Sequence, residues 1–340
     1  MRYSLATLIS ILLFNACRNK NGISGQSTFI IRQIQLKSDT TISAIAYFEN
    51  MVICLQNNNK LLILDTAYNR EHTLENKLNG YKPNYLFTLH DTVFITTKSK
   101  TYFIGSKFRI TEYKLNNRLY ANGLYKDSLY YVYGCCVGEF GGAVFFLNKK
   151  TNRTYSYFAT CATQVLKFKG RYVVCNNLAH LERSMSYLFV REPTKLYELT
   201  DEKLKHFCNW YAKVDSLKYY WGHSAVGDTK FYRGSPRSMS LITFQANDSL
   251  YSLVCNDSTT YIAVHKNDTT LCRQMVFDKT IEFHQAQVVS VGHKQICLYN
   301  LTGGSPFAAY LTRGHSSGLV VIDGNRIDIL DRSFPAKTFY

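Results

Sequence analysis

A tight turn followed by a β-branched and aromatic run recurs through most of this chain, and that recurrence limits the possible folds more than any other feature. The unit appears as Glu49-Asn50-Met51-Val52-Ile53, His90-Asp91-Thr92-Val93-Phe94, Lys126-Asp127-Ser128-Leu129-Tyr130 and Lys169-Gly170-Arg171-Tyr172-Val173. It continues as Val214-Asp215-Ser216-Leu217-Lys218, Asn247-Asp248-Ser249-Leu250-Tyr251 and Gly292-His293-Lys294-Gln295-Ile296. The second residues of successive units are spaced by 41, 36, 43, 45, 33 and 45. Their mean of about 40 residues is the length of a four-stranded propeller blade.

Each unit carries the strands a blade needs. After Asp127, strands are expected at 129–133, 143–147 and 153–158, with 163–167 opening the next unit. Aromatic residues make up 14% of the chain, with 26 Tyr and 21 Phe against 5 Met, a bias toward pleated sheet. The expected fold class is all-β, a β-propeller of four-stranded blades. The repeats count to seven blades, but the unit opening at Asp215 holds only three strands, and the count is six if that unit is an insertion. Residues 29–36 form an apolar strand before the first repeat and 318–330 a surplus hairpin after the last, so pairing the two ends in one blade would close the ring.

Residues 1–16 read as a lipoprotein signal peptide, with Arg2 as a positive start, Leu5 to Phe14 as an apolar segment, and Leu13-Phe14-Asn15-Ala16-Cys17 as a lipobox. The apolar segment is about half the ~20 residues of a membrane-spanning helix. Cys17 is the expected lipidation site, 17–27 the tether, and 28–340 a single propeller domain. In the lipoproteins that this leader resembles, an Asp directly after the cysteine retains the chain in the inner membrane and an acidic cluster there favours export to the surface; neither follows Cys17, so the periplasmic face of the bacterial outer membrane, rather than the cell surface, is the expected location.

Ten cysteines in an exported chain raise the question of disulfides. Cys54, Cys175 and Cys297 occupy the same strand of three different units and are expected as small core residues. Cys135 and Cys136 end a second strand while Cys161 follows a fourth, so a disulfide between Cys136 and Cys161 is the candidate pairing. No His stands at ligand spacing from them, and neither a metal nor a cofactor is expected.

The formal charge is +16. In the envelope such a charge turns toward anionic lipid, lipopolysaccharide or acidic glycans rather than nucleic acid. No nucleophile elbow, zinc helix, phosphate loop or dinucleotide fingerprint is present. Two loops repeat Gly-Ser-Pro, at 234–236 and 304–306, and Trp221, His223, Arg233, Arg237, Phe307, Arg313 and His315 surround them. Aromatic faces stack on sugars or side chains and Arg forks grip carboxylate or phosphate, so these seven are the candidate binding residues.

On the Cys17 lipobox and the repeats from about 29 to 332, the chain resembles the β-propeller lipoproteins of the Bacteroidota envelope, the group with TolB-like or NHL-like six-bladed repeats. The resemblance rests on architecture and period and implies a ring of blades, not an activity. Two readings of function follow. One is a non-catalytic envelope lipoprotein whose propeller binds or scaffolds a protein or an anionic glycan. The alternative is a carbohydrate-active enzyme, a lyase or hydrolase with its site in the axial funnel.

Overall fold

A computed structural model describes residues 29–89, 92–114, 122–136, 142–159, 161–178, 184–199, 230–233, 237–266, 269–277, 281–291, 294–301 and 316–332. The first strand, β1 (Ile30–Gln35), is followed by six blades in chain order. Blade 1 holds β2 (Ile42–Phe48), β3 (Met51–Gln56) and β4 (Leu61–Leu64), with helix α1 (His72–Asn79) where a fourth strand would stand. Blade 2 is β5 (Tyr85–Leu89), β6 (Thr92–Thr96), β7 (Thr101–Gly105) and β8 (Arg109–Tyr113). Blade 3 is β9 (Asn122–Lys126), β10 (Tyr130–Cys136), β11 (Gly142–Asn148) and β12 (Thr154–Phe158). Blade 4 opens with β13 (Ala162–Phe168), β14 (Arg171–Leu178) and β15 (Ser184–Val190); β16 (Tyr197–Leu199) then crosses back to pair with β12 of blade 3, and β17 (Lys230–Arg233) completes blade 4. Blade 5 is β18 (Met239–Ala246), β19 (Ser249–Cys255), β20 (Thr260–Lys266) and β21 (Thr269–Phe277). Blade 6 is β22 (Ile281–Val291), β23 (Lys294–Leu301), β24 (Ser316–Asp323) and β25 (Arg326–Asp331).

Six of the seven repeated turns therefore join the first and second strands of a blade. The seventh, at Asp215, falls in the connection between β16 and β17, outside the described residues, so its unit adds no blade. Six is the blade number, the lower of the two counts the repeats allow. The ring closes where β1 lies parallel to β25 across six residue pairs, Ile30 opposite Arg326 through Gln35 opposite Asp331.

Local chemistry explains the turns. Glu49 and Asn50 (φ 45° and 64°), Lys169 and Gly170 (47° and 74°), and Asn247 and Asp248 (43° and 56°) all have positive φ, the backbone of a type I′ hairpin whose twist matches that of its strands. Packing explains the apolar runs. Val174 packs between blades 3 and 4, while its neighbours Val173 and Cys175 pack between blades 4 and 5. Both faces of the strand are buried, so the sequence shows a continuous run rather than an alternation. Cys54, Cys175 and Cys297 are free and fully buried, as expected, and burial raises each thiol's pKa, that of Cys175 to about 12.

Inner strands leave one hydrogen-bonding edge without a neighbouring strand, and amide side chains supply partners there. Gln164 of β13 bonds both the N–H and the carbonyl of Thr243 in β18, at 2.7 Å each. Gln287 of β22 does the same for Ile45 in β2, at 2.7 and 2.9 Å, and Asn177 of β14 for Ser240. These pairs fasten blade 4 to 5 and blade 6 to 1.

Candidate binding site

The propeller has two faces. On one lie the turns from first to second strand and from third to fourth strand of each blade. Contacts between neighbours establish that these turns share a face: Glu49 accepts from Lys107 N–H (blades 1 and 2), Tyr172 donates to Asp127 (blades 3 and 4), Asn247 meets Asn325 (blades 5 and 6), and Tyr68 donates to Asp328 (blades 1 and 6). The opposite face carries the second-to-third-strand turns and the connections between blades.

Blade 2 presents aromatic rings on that opposite face. Leu86, Val93, Ile95 and Ile104 pack against blade 1, so the other side of the sheet looks toward blade 3. Strand register sets its side chains in two rows: Tyr85, Thr96, Thr101 and Tyr113 at the rim, then Phe87, Phe94, Phe103 and Thr111 below. Phe87 and Phe94 stack at 5.1 Å with 8° between planes, and Tyr113 meets Phe94 edge-on at 5.3 Å. Tyr85 is 70% exposed and Tyr113 41%. On the side of blade 3 turned toward blade 2, Tyr133 and Phe145 stack at 5.1 Å, with Phe145 fully buried. A core cluster joins every other adjoining pair of blades; among the described residues none joins blades 2 and 3.

This wall offers flat π-faces held on rigid strands. Such faces stack on sugar rings or on aromatic and aliphatic side chains of a partner, and their phenol hydroxyls supply a polar tip.

No protein-family model matches the chain, and no curated protein sequence matches it. Among solved structures it is similar to the N-terminal domain of Nup159, at 11% identity over 89% of this chain and 77% of that one, with a TM-score of 0.32. It is also similar to Hsv2 of Kluyveromyces lactis, at 8% over 85% and 84% with a TM-score of 0.31, and to the CNH domain of AfRom2, at 7% over 85% and 98% with a TM-score of 0.37. The ring of six blades rests on the strand pairing itself.

Of the seven residues singled out by sequence, Arg233 ends β17 and Arg237 follows it in the connection to β18, exposed and with φ 56°. Both stand on the same face as Tyr85. Trp221, His223, Phe307, Arg313 and His315 lie outside the described residues, as does Cys17. The strand ends bracketing Gly304-Ser305-Pro306, Leu301 and Ser316, open on the face of Arg237, whereas those bracketing Trp221, Leu199 and Lys230, open on the other. Cys161 is disulfide-bonded, and so is Cys272; the Cys136 side chain lies outside the described residues.

Charged and polar groups elsewhere hold blades together. Asp127 accepts from the Tyr172 hydroxyl (2.7 Å), the N–H groups of Leu129 and Tyr130, and Lys167 (3.1 Å). Burial works to raise its pKa, yet these donors prevail and hold it below the ordinary value. Glu75 of α1 accepts from Ile63 N–H and from the Arg70 guanidinium. Ser252 lies 2.7 Å from His265 Nε2, with Thr243 and Tyr187 hydroxyls at 2.8 and 3.0 Å. A hydroxyl beside an imidazole has the composition of a nucleophile and its base, but Ser252 has no exposure to solvent and so serves as a tie between blades 4 and 5.

Sequence reasoning passed over Tyr85, Phe87, Phe94 and Tyr113. The signal was present as the aromatic density of 81–113, but the same density is found in core strands, and only register separates a buried ring from a rim ring.

Proposed function

We propose that the protein is a non-catalytic cell-envelope lipoprotein, anchored through Cys17 to the periplasmic face of the outer membrane, whose propeller is a binding module for a protein or glycan partner. The observation that carries the binding reading is the rim of Tyr85 and Tyr113 above the stacked Phe87 and Phe94. Large aromatic side chains held in place by a sheet give contact area at low entropic cost, and such residues dominate recognition surfaces. Arg237, exposed on the same face, adds a cationic group suited to an acidic partner. The lipobox and the resemblance to Bacteroidota envelope propellers support the location.

Two experiments test this. With Cys17→Ser, the chain should pass from the membrane fraction to the soluble periplasmic fraction; a variant retained as firmly as the parent removes the lipoprotein reading. For the site, a photo-crosslinking phenylalanine derivative in place of Tyr85 should trap one defined envelope protein or polysaccharide in intact cells. Adding Tyr113→Ser should then reduce that capture by on the order of tenfold or more, with the melting temperature nearly unchanged. Equal capture from a crosslinker at Lys60, away from the wall, would sink the binding reading.

A further inference from the structure

The face opposite the aromatic wall has its own chemistry. The turns of blades 3 and 4 gather Lys126, Lys149, Lys150, Lys167, Lys169 and Arg171 on that face. Asp127 lies among them, already committed to Tyr172, to two backbone N–H groups and to Lys167. Four cations also lie over rings: Lys126 and Lys149 over Tyr131 at 5.9 and 4.2 Å, Lys167 over Tyr172 at 5.1 Å, and Lys169 over Phe168 at 5.1 Å. These are all the cation–π pairs among the described residues. Leu129, 54% exposed, is the apolar tip of the turn at the centre of the group.

The chain enters the ring on this same face. Ile30 N–H donates to the carbonyl of Asn325, in the third-to-fourth-strand turn of blade 6, and Ile30 is 62% exposed. Blade 6 stands across the ring from blade 3. The chain from Cys17 to Ile30 can span at most ~47 Å.

We infer that the face bearing Lys126, Lys149, Lys150, Lys167, Lys169, Arg171 and Leu129 lies against the anionic phospholipid surface of the membrane that holds the N-terminal anchor. Lysines packed along rings present their ammonium groups to lipid phosphates while Leu129 enters the headgroup region, the arrangement of an interfacial basic and apolar surface. A single lipidated tether at blade 6 would let the ring tumble. A second contact at blades 3 and 4, on the opposite side of the ring, holds the face flat on the bilayer and turns the wall of Tyr85 and Tyr113 outward. The inference rests on the proposed anchor for proximity, but the charge and its placement are independent of it.

The test uses the full chain, processed by its own cell, purified from membranes and reconstituted on vesicles of phosphatidylcholine alone or with about a third phosphatidylglycerol. Lysine acetylation read by mass spectrometry should be several-fold slower at Lys126, Lys150 and Lys169 on the anionic vesicles than on the neutral ones. Lys60 and Lys98, exposed in second-to-third-strand turns on the other face, should react equally on both. The protection should vanish in about 0.5 M salt, where the screening length falls to a few ångströms. Protein held on both kinds of vesicle with no difference at the three lysines overturns this inference and leaves the anchor standing. Failure to associate with either kind overturns both. Equal protection by soluble polygalacturonate at matched charge overturns the lipid and assigns the face to an acidic glycan.

Discussion

Replacing Asp328 with alanine should destabilise the ring by about 3 kcal/mol, the low end for breaking a buried ion pair, because Arg32 keeps 38% of its side chain in water while Asp328 keeps 1%. The Asp328 carboxylate accepts two bonds of 2.6 Å from the Arg32 guanidinium on β1 and one of 2.7 Å from the Tyr68 hydroxyl of blade 1. It therefore ties the N-terminal strand, the last blade and the first blade at one point. Burial works to raise its pKa, but the bonds from Arg32 and Tyr68 prevail and hold it below the ordinary carboxylate value. Truncation leaves a guanidinium and a phenol facing a gap at the seam of the ring. Urea unfolding should show a lower midpoint with an unchanged slope for Asp328→Ala and a smaller loss for Asp328→Asn. Lys100→Ala, which breaks an ion pair whose partners are both 50% exposed, should leave the midpoint nearly unchanged. Equal midpoints for Asp328→Ala and Lys100→Ala would show that the clasp does not hold the ring.

Acidification below pH 6.5 should weaken the protein through one buried histidine. Burial lowers the His265 pKa from 6.5 to about 4. A depressed histidine binds fewer protons when folded than when unfolded, so stability rises with pH between those values. Acidification from 6.5 toward 4 removes it, by at most about 3 kcal/mol because the imidazole keeps part of its surface in water. The ring sits 4.3 Å from that of Tyr187, with Nε2 on Ser252 and Nδ1 3.3 Å from the Thr270 hydroxyl. Protonation would place a charge in the joint between blades 4 and 5. Unfolding free energies measured from pH 7.5 to 4.5 should fall for the parent and fall less steeply for His265→Gln. Identical slopes would show that His265 is not the titrating group.

Much of the scaffold could be read from residues alone, and particular elements show why. The run Tyr172-Val173-Val174-Cys175 announces a strand buried on both faces, and the Glu49-Asn50 and Lys169-Gly170 turns announce hairpins. Blade number was open because Val214-Asp215-Ser216-Leu217 has the local pattern of a first-to-second-strand turn, yet the chain makes the detour of β16 onto blade 3 before β17 finishes blade 4. No local pattern records that detour, since pairing of Tyr197 with Ser156 depends on the edge blade 3 happens to leave open.

What the sequence determined by itself was the repeat and the strand content, because turn geometry and side-chain alternation are set by covalent structure and by contact with water within a few residues. Tertiary structure alone decided the clasp, in which Arg32 and Asp328 are 296 residues apart, and the meeting of Ser252 in blade 5 with Tyr187 in blade 4. It also decided which rings of blade 2 lie at the rim, and it brought the cations of blades 3 and 4 onto the face where the chain enters. Those pairings exist only after the ring closes, when six sheets set in radial order make neighbours of residues whose separation along the chain carries no information about their distance.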